Sequence, residues 1–249
     1  MTKGVLLFCF DTADTKYHSI LERCVTLVKK NLKLPITVVT NFKTFKRMKP
    51  MGFINYKFIE PEPGNTKLGK EWNNVDRHMA YELSPYEVTL VMDIDYFPFT
   101  DNLKQFMDTK YDFLISKSAY DLTDRKSFDY RGFSMIDMVW ATVFVFRKTS
   151  RAKRVFEMIK YVKSFYPYFI EMYRIRDKKF RNDYAFAIAL EQANGMVSYD
   201  TLPITLPTLP PDCKVLKIDQ QGIAWQYDDQ IDYTRDQDVH VLNKEVADV

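Results

Sequence analysis

The chain has 249 residues, 46% of them hydrophobic and 15% aromatic, with a formal net charge of +3 and a pI near 8.5. That length can bury one sizeable core, and with seven glycines and no Ser/Gly-rich linker the chain reads as a single domain rather than a string of small ones. Mild basicity permits an acidic partner without demanding one. Cys9, Cys24 and Cys213 lack metal-ligand spacing, and the apolar segment Val5 to Phe10 is too short for a signal sequence or a membrane span, so a cytoplasmic protein is expected.

In chain order, Val5 to Phe10 is predicted as a strand, Tyr17 to Leu32 as a helix with Ile20, Leu21, Cys24, Leu27 and Val28 in one stripe, and Ile36 to Thr40 as the next strand. Asn55 to Ile59 is a further short strand. Glu71 to Leu83 reads as a helix with Trp72, Val75, Met79 and Leu83 on one side, followed by the apolar strand Val88 to Met92. This alternation argues a mostly parallel sheet with helices on both faces. The second half is less regular. Strands at Phe113 to Ser116 and Val139 to Phe146 enclose a polar loop from Lys117 to Gly132, and Arg151 to Met172 is one helix or two, interrupted at Pro167. Asp183 to Gln192 is a helix opened by Asn182, and Leu202 to Asp212, rich in proline, is an extended crossing segment.

The strand Val88 to Met92 runs straight into Asp93-Ile94-Asp95. A run of this kind is what a central strand covered on both faces looks like, and its C-terminal end is where open α/β sheets place ligands. Two carboxylates there carry charge that burial penalises, and a bound divalent cation removes the difficulty. Asp-x-Asp is a short pattern; the abrupt passage from apolar strand to acidic pair is what gives it weight. Asp101, beyond the strand-breaking Pro98, is assigned to capping a helix that starts near Leu103.

The order of strand, helix and strand, with Asp-x-Asp closing a later strand, resembles the GT-A (Rossmann-like) fold of nucleotide-sugar-dependent glycosyltransferases, including small bacteriophage members of that class. The resemblance spans nearly the whole chain. It is carried by Val91-Met92-Asp93-Ile94-Asp95, by Asn182-Asp183, and by the C-terminal His240-Val241-Leu242-Asn243-Lys244. It implies an α/β domain whose nucleotide-binding half covers about residues 1–100 and whose acceptor-binding half covers about 101–249. In family-eight-like members a C-terminal histidine completes the metal site and a lysine a few residues later meets the diphosphate. His240 and Lys244 match in type and order, although the glycine and Pro-Trp that usually accompany the histidine are missing here. The resemblance thus implies Mn2+ or Mg2+ at Asp93, Asp95 and His240, with Asp95 the direct ligand and a UDP-sugar as donor. His240 read alone is more simply a surface histidine near a terminus; only the resemblance brings the ligand reading level with it.

Other assignments follow. Phe10, Asp11 and Thr12 leave the first strand where a base and ribose would lie, Asn41 leaves the second, and Ile94 sits between the two metal-site aspartates. Lys70, Asn73 and Arg77 lie off the apolar stripe of their helix, with Arg77 chosen as a donor contact and a solvated face as the alternative. Asp183 is assigned a catalytic role toward sugar or acceptor, although Asn182 as N-cap and Asp183 beside the helix dipole also have a complete structural explanation. Arg174, Arg176, Lys178 and Lys179, among Tyr166, Tyr168, Phe169 and Tyr173, have the composition of a surface that tracks phosphates and stacks on bases, or of a solvated helix face. Phage enzymes that the chain resembles modify hydroxymethylated DNA bases, so DNA is the leading acceptor, with a glycan, lipid or protein as alternatives. The rivals from other classes are a haloacid-dehalogenase-like phosphatase, with Asp93 as nucleophile and Asp95 as general acid, and a non-catalytic binding module.

Overall fold

The computed structural model describes residues 1–62, 65–67, 70–72, 75–124 and 134–248. Its first half runs β1 (Lys3–Phe8), α1 (Tyr17–Leu27), β2 (Ile36–Thr40), α2 (Phe42–Phe45), β3 (Ile54–Phe58), the hairpin β4 (Asn65–Lys67) and β5 (Lys70–Trp72), α3 (Ala80–Leu83), β6 (Val88–Met92) and β7 (Tyr96–Phe97). The second half runs β8 (Phe113–Asp121), β9 (Trp140–Arg147), α4 (Ser150–Ser164), α5 (Tyr166–Met172), α6 (Asn182–Ala193), β10 (Thr201–Leu209), β11 (Lys214–Ile218), β12 (Gly222–Tyr227), β13 (Gln230–Arg235) and β14 (Val239–Val241).

A nine-stranded sheet in the order β3-β2-β1-β6-β9-β8-β10-β14-β7 runs through both halves. The pairings β3/β2, β2/β1, β1/β6, β8/β10 and β10/β14 are parallel, while β9 runs antiparallel to both neighbours and β7 antiparallel to β14. Every residue of β2 and β6 is buried, as uncharged runs of β-branched and aliphatic residues in a sheet covered on both faces should be. β7 follows β6 after Asp93, Ile94 and Asp95, yet pairs at the opposite end of the strand order. The sheet must therefore curl, and the curl brings the C-terminal β14 to the end of β6.

Several expectations are corrected. The helix predicted from Glu71 to Leu83 is instead the strand β5, a 3-10 turn at Val75–Met79 and a single α turn, α3. Its short pieces let successive residues face different ways: Arg77 turns to β9, while Asp76 and His78 turn to Glu62 and Lys163. Asn73 and the Lys70 side chain lie outside the described residues. α1 ends at Leu27 in a π turn, Val28–Leu32, closed by Lys33 at φ 55°. The segment after Asp101 is 3-10 rather than α, and Thr100 Oγ1, not the Asp101 carboxylate, accepts from Asn102 N at 3.2 Å. Arg151 to Met172 is two helices, with Pro167 in the first turn of α5 where its missing N–H does no harm.

The segment expected to cross from Leu202 is the strand β10. Pro203 falls where its register against β8 shifts, and Pro207 precedes the two residues that pair with β14, so neither proline breaks a ladder it belongs to. Of the loop expected from Lys117 to Gly132, the first part continues β8 to Asp121, and residues 125–133 lie outside the described part. The antiparallel sheet β11-β12-β13 has no counterpart among the predicted elements. Among the described residues no helix is long and apolar enough to cross a membrane.

Candidate active site

The turn after β6 is held by two backbone bonds, Asp93 N to Thr142 O at 2.9 Å and Tyr96 N to Asp93 O at 3.1 Å. These aim both carboxylates at β14, where Val241 N donates to Asp95 O at 2.9 Å. His240 Nε2 stands 3.6 Å from Asp95 Oδ1, and its ring meets the Trp140 edge at 6.0 Å between centroids. One ligand atom each from Asp93, Asp95 and His240 lies within 4.8 Å of the others. Asp95 and His240 are buried, and His240 Nδ1 has no hydrogen-bond partner among the described residues. Two carboxylates and an imidazole converging on one point, with a buried ring nitrogen left over, fit a divalent cation such as Mn2+ or Mg2+.

Two side-chain cations complete the cluster. Arg77 Nη2 forms an ion pair with Asp93 Oδ1 while Nη1 donates to Ala141 O at 3.2 Å. Burial lowers the Arg77 pKa, and the charges of Asp183 and Asp95 oppose that shift. Lys244 Nζ donates to Asp95 Oδ2 and reaches Val241 O at 3.4 Å. Burial alone would raise the Asp95 carboxyl, but Lys244 and His240 outweigh it and hold the group well below the usual carboxylate range.

Asp183 enters from the first turn of α6. Its Oδ1 accepts from Ala141 N at 3.1 Å and its Oδ2 pairs with Arg181 Nη2 at 2.9 Å. The Ala141 N–H thus holds Asp183 while its C=O holds Arg77. Asn182 is not the N-cap expected: Arg181 holds that position, its C=O accepting from Ala185 N at 3.0 Å, and Asn182 is buried as the first helical residue. Composition places Arg181 with the basic run before it; its position two residues ahead of Asp183 is the signal that sets it apart. Tyr17 carries no sequence mark beyond a helix start, yet Lys244 and Asp95 both act on its hydroxyl, whose pKa burial raises.

The exits of β1 and β2 are already internally bonded. Asp11 accepts from His18 N at 3.0 Å, pairs with His18 Nδ1 at 2.8 Å and meets Arg47 at 3.3 Å, so it secures the first turn of α1. Thr12 Oγ1 accepts from Thr15 N at 3.1 Å, and Asn41 caps α2 by accepting from Thr44 N at 2.9 Å. Phe10 and Ile94 are buried. A second acidic group, Glu62, Asp76 and His78, could also hold a metal, but Lys163 Nζ already stands 2.7 Å from Glu62 and 3.4 Å from His78 Nδ1. Arg174, Arg176, Lys178 and Lys179 are exposed on the loop between α5 and α6. Their expected aromatic companions mostly are not: Tyr166, Phe169 and Tyr173 are core residues, and Tyr168 is exposed.

No family model and no curated protein matches the chain. Solved structures do. The galactosyltransferase LgtC, determined with donor and acceptor sugar analogs, aligns at a TM-score of 0.52 with 15% identity, over 75% of this chain and 70% of that one. The glycosyltransferase GlyE of Streptococcus pneumoniae TIGR4 aligns at 0.51 with 10% identity, over 81% of this chain and 46% of its own. Mouse xyloside xylosyltransferase 1 aligns at 0.51 with 8% identity, over 80% and 85%. The chain therefore has the GT-A fold of nucleotide-sugar glycosyltransferases, with Asp93 and Asp95 at the end of a central parallel strand.

Proposed function

We propose that the chain is a divalent-metal-dependent glycosyltransferase that takes a nucleotide-sugar, a UDP-sugar by preference, and transfers the sugar to a hydroxyl. The convergence of Asp93, Asp95 and His240 from two distant parts of the sequence, flanked by Arg77 and Lys244, carries this reading. A divalent cation bound there would stabilise the charge that develops on the departing diphosphate. Arg77 and Lys244 supply N–H donors for phosphate oxygens, and backbone at Phe10 to Thr12 and at Ile94, with Asn41 nearby, would receive the base and ribose. Asp183, fixed by Ala141 and Arg181, would meet the transferred sugar or accept the acceptor hydroxyl's proton. The balance of charge suits joint binding, because Asp93, Asp95 and Asp183 already face Arg77, Lys244 and Arg181. Adding a dication together with a diphosphate keeps that balance, whereas adding either alone upsets it.

The phosphatase reading fits less well: a nucleophilic Asp93 needs a free line of approach, and its carboxylate lies against Arg77. For the acceptor we favour a hydroxymethylated DNA base drawn out of its stack, with Arg174, Arg176, Lys178 and Lys179 on the loop that leads into Asp183 following the phosphates. The test is a panel of UDP-, GDP- and dTDP-sugars with Mn2+, read by thermal shift and hydrolysis, then transfer to hydroxymethylated DNA against glycan, lipid and protein acceptors. A matched donor at a hundred times its Kd should add about 2.7 kcal/mol of stability. No response to any nucleotide-sugar with metal present would remove the enzyme reading, and transfer to a glycan, lipid or protein instead of DNA would remove the DNA reading.

A further inference from the structure

Three of the four aromatic side chains of the 166–173 region are buried, and a cluster of exposed rings better ordered for base stacking lies elsewhere. One stands at the β3 edge of the sheet. From Phe42 to Phe58 the sequence carries Lys43, Lys46, Arg47, Lys49 and Lys57 with no acidic residue. Among them Phe42, Phe45, Phe53 and Phe58 are exposed, Phe42 to 58%. Phenylalanines of this size seldom stay at a surface in a cluster without a partner. They are also ordered relative to one another. Phe42 and Phe58 stack with centroids 4.4 Å apart and planes 2° from parallel, Phe45 closes on Phe58 edge-on at 5.2 Å, and Lys29 Nζ lies 4.0 Å over the Phe53 ring.

We infer that this platform binds single-stranded nucleic acid, stacking unpaired bases on the Phe42–Phe58 pair while Lys43 and Lys46, on the turn that carries Phe42 and Phe45, follow the phosphates. A flat ring stack with cations interleaved is the arrangement that sequence-tolerant strand binding requires. A membrane suits it less, because Lys43 and Lys46 share the single turn of α2 and its cap with Phe42 and Phe45, so inserting those rings would carry the two charges toward hydrocarbon. The location agrees. β3, β2, β1 and β6 are parallel, so the C-terminal end at Phe58 and the one at Asp93 share an edge, three strand spacings or about 14 Å apart. A strand whose base is presented at Asp95 and Asp183 would have flanking nucleotides over the platform. In linking platform to site, the inference rests on the nucleic-acid reading of the acceptor.

The experiment uses the full chain and a fluorescent oligothymidylate, which carries no hydroxymethyl group, so that binding is measured apart from transfer. Phe42→Ala/Phe58→Ala should weaken binding about 5- to 150-fold, whereas Phe42→Tyr/Phe58→Tyr, which keeps the rings, should bind like wild type. Lys43→Gln/Lys46→Gln should lower the salt slope by about 0.7 for each phosphate no longer neutralised. Nucleotide-sugar hydrolysis and the melting temperature serve as controls for folding. Unchanged oligonucleotide affinity in the double-alanine variant overturns the platform, as does binding to phosphatidylserine vesicles with none to oligothymidylate. Ring-dependent binding without any transfer to hydroxymethylated DNA upholds the platform and removes the DNA base as acceptor. Transfer to such DNA with an unaltered KM in the double-alanine variant does the reverse.

Discussion

Asp93 and Asp95 stand on a turn whose backbone is bonded to β9 and β14, with Arg77 reaching them from a 3-10 turn anchored on Ala141, whereas Arg174, Arg176, Lys178 and Lys179 stand on an exposed loop between two helices. On the first side the charges meet counter-charges in a partly buried cluster before any ligand arrives; on the second, four cations and Asp177 share an exposed loop. A preorganised, internally neutral cluster suits a small donor that must be held in one geometry, and an exposed basic loop suits a large polyanion held mainly by its charge. Changes on the first side should therefore damage both stability and chemistry, and changes on the second should damage acceptor use alone.

The largest effect is expected at Asp95. Asp95→Asn should lower sugar transfer by about a thousandfold, and it should also destabilise the fold, because Lys244 and His240 lose the charge they are buried against. Steady-state kinetics beside a denaturant titration checks both, and wild-type kcat in this variant would take Asp95 out of the site. Arg77→Ala comes next, with an expected loss near a hundredfold in kcat/KM and about 3 kcal/mol in stability, since Asp93 keeps its charge without its partner. An intact kcat/KM there would mean that Arg77 is structural only.

On the other side, Arg181→Ala should reduce transfer about tenfold while moving stability by less than about 1 kcal/mol, because the Arg181–Asp183 pair is partly exposed. Replacing Arg174, Arg176, Lys178 and Lys179 with Gln should leave donor hydrolysis intact and flatten the salt dependence of DNA binding by up to about 0.9 for each phosphate released from its cation. An unchanged slope would separate this loop from the acceptor. An effect on stability alone concerns Asp76, whose pKa burial raises to about 6, against the opposing charge of Lys163. A carboxyl raised in the folded state contributes stability that is complete below its unfolded value near 3.8 and is lost as pH rises through about 6. Screening leaves about 1 to 2 kcal/mol for this loss, and Asp76→Asn should remove it from a pH 4 to 7 stability series.

The donor side is legible in the sequence because its signals are local. A fully buried strand carries no charged side chain, so the change at Asp93 stands out, and β2, β6 and the inner residues of β1 can be read from the same rule. His240 and Lys244 are reached only through resemblance; the pairing of β14 with β7 that brings them to Asp95 is a long-range contact that periodicity does not encode. Arg77 reaches the site from two short turns instead of the predicted helix, since the apolar spacing of Trp72, Val75, Met79 and Leu83 also fits a strand followed by such turns. The aromatic residues near Arg174 mislead because composition cannot tell a stacking surface from a core: Tyr166, Phe169 and Tyr173 are buried, while Phe42 and Phe58, which no motif marks, are exposed. Pro203 and Pro207 hide β10 because its bulge and its partial pairing accommodate them.

The most direct test of joint metal and donor binding is a thermal-shift series with Mn2+ alone, UDP-sugar alone and both together, on the wild type and on His240→Ala. Together the two ligands should stabilise the wild type by more than the sum of their separate effects, by about 2.7 kcal/mol at a hundred times Kd, and the excess should vanish in His240→Ala. Full stabilisation by the UDP-sugar without metal, or an undiminished excess in His240→Ala, would contradict a donor site built on Asp93, Asp95 and His240.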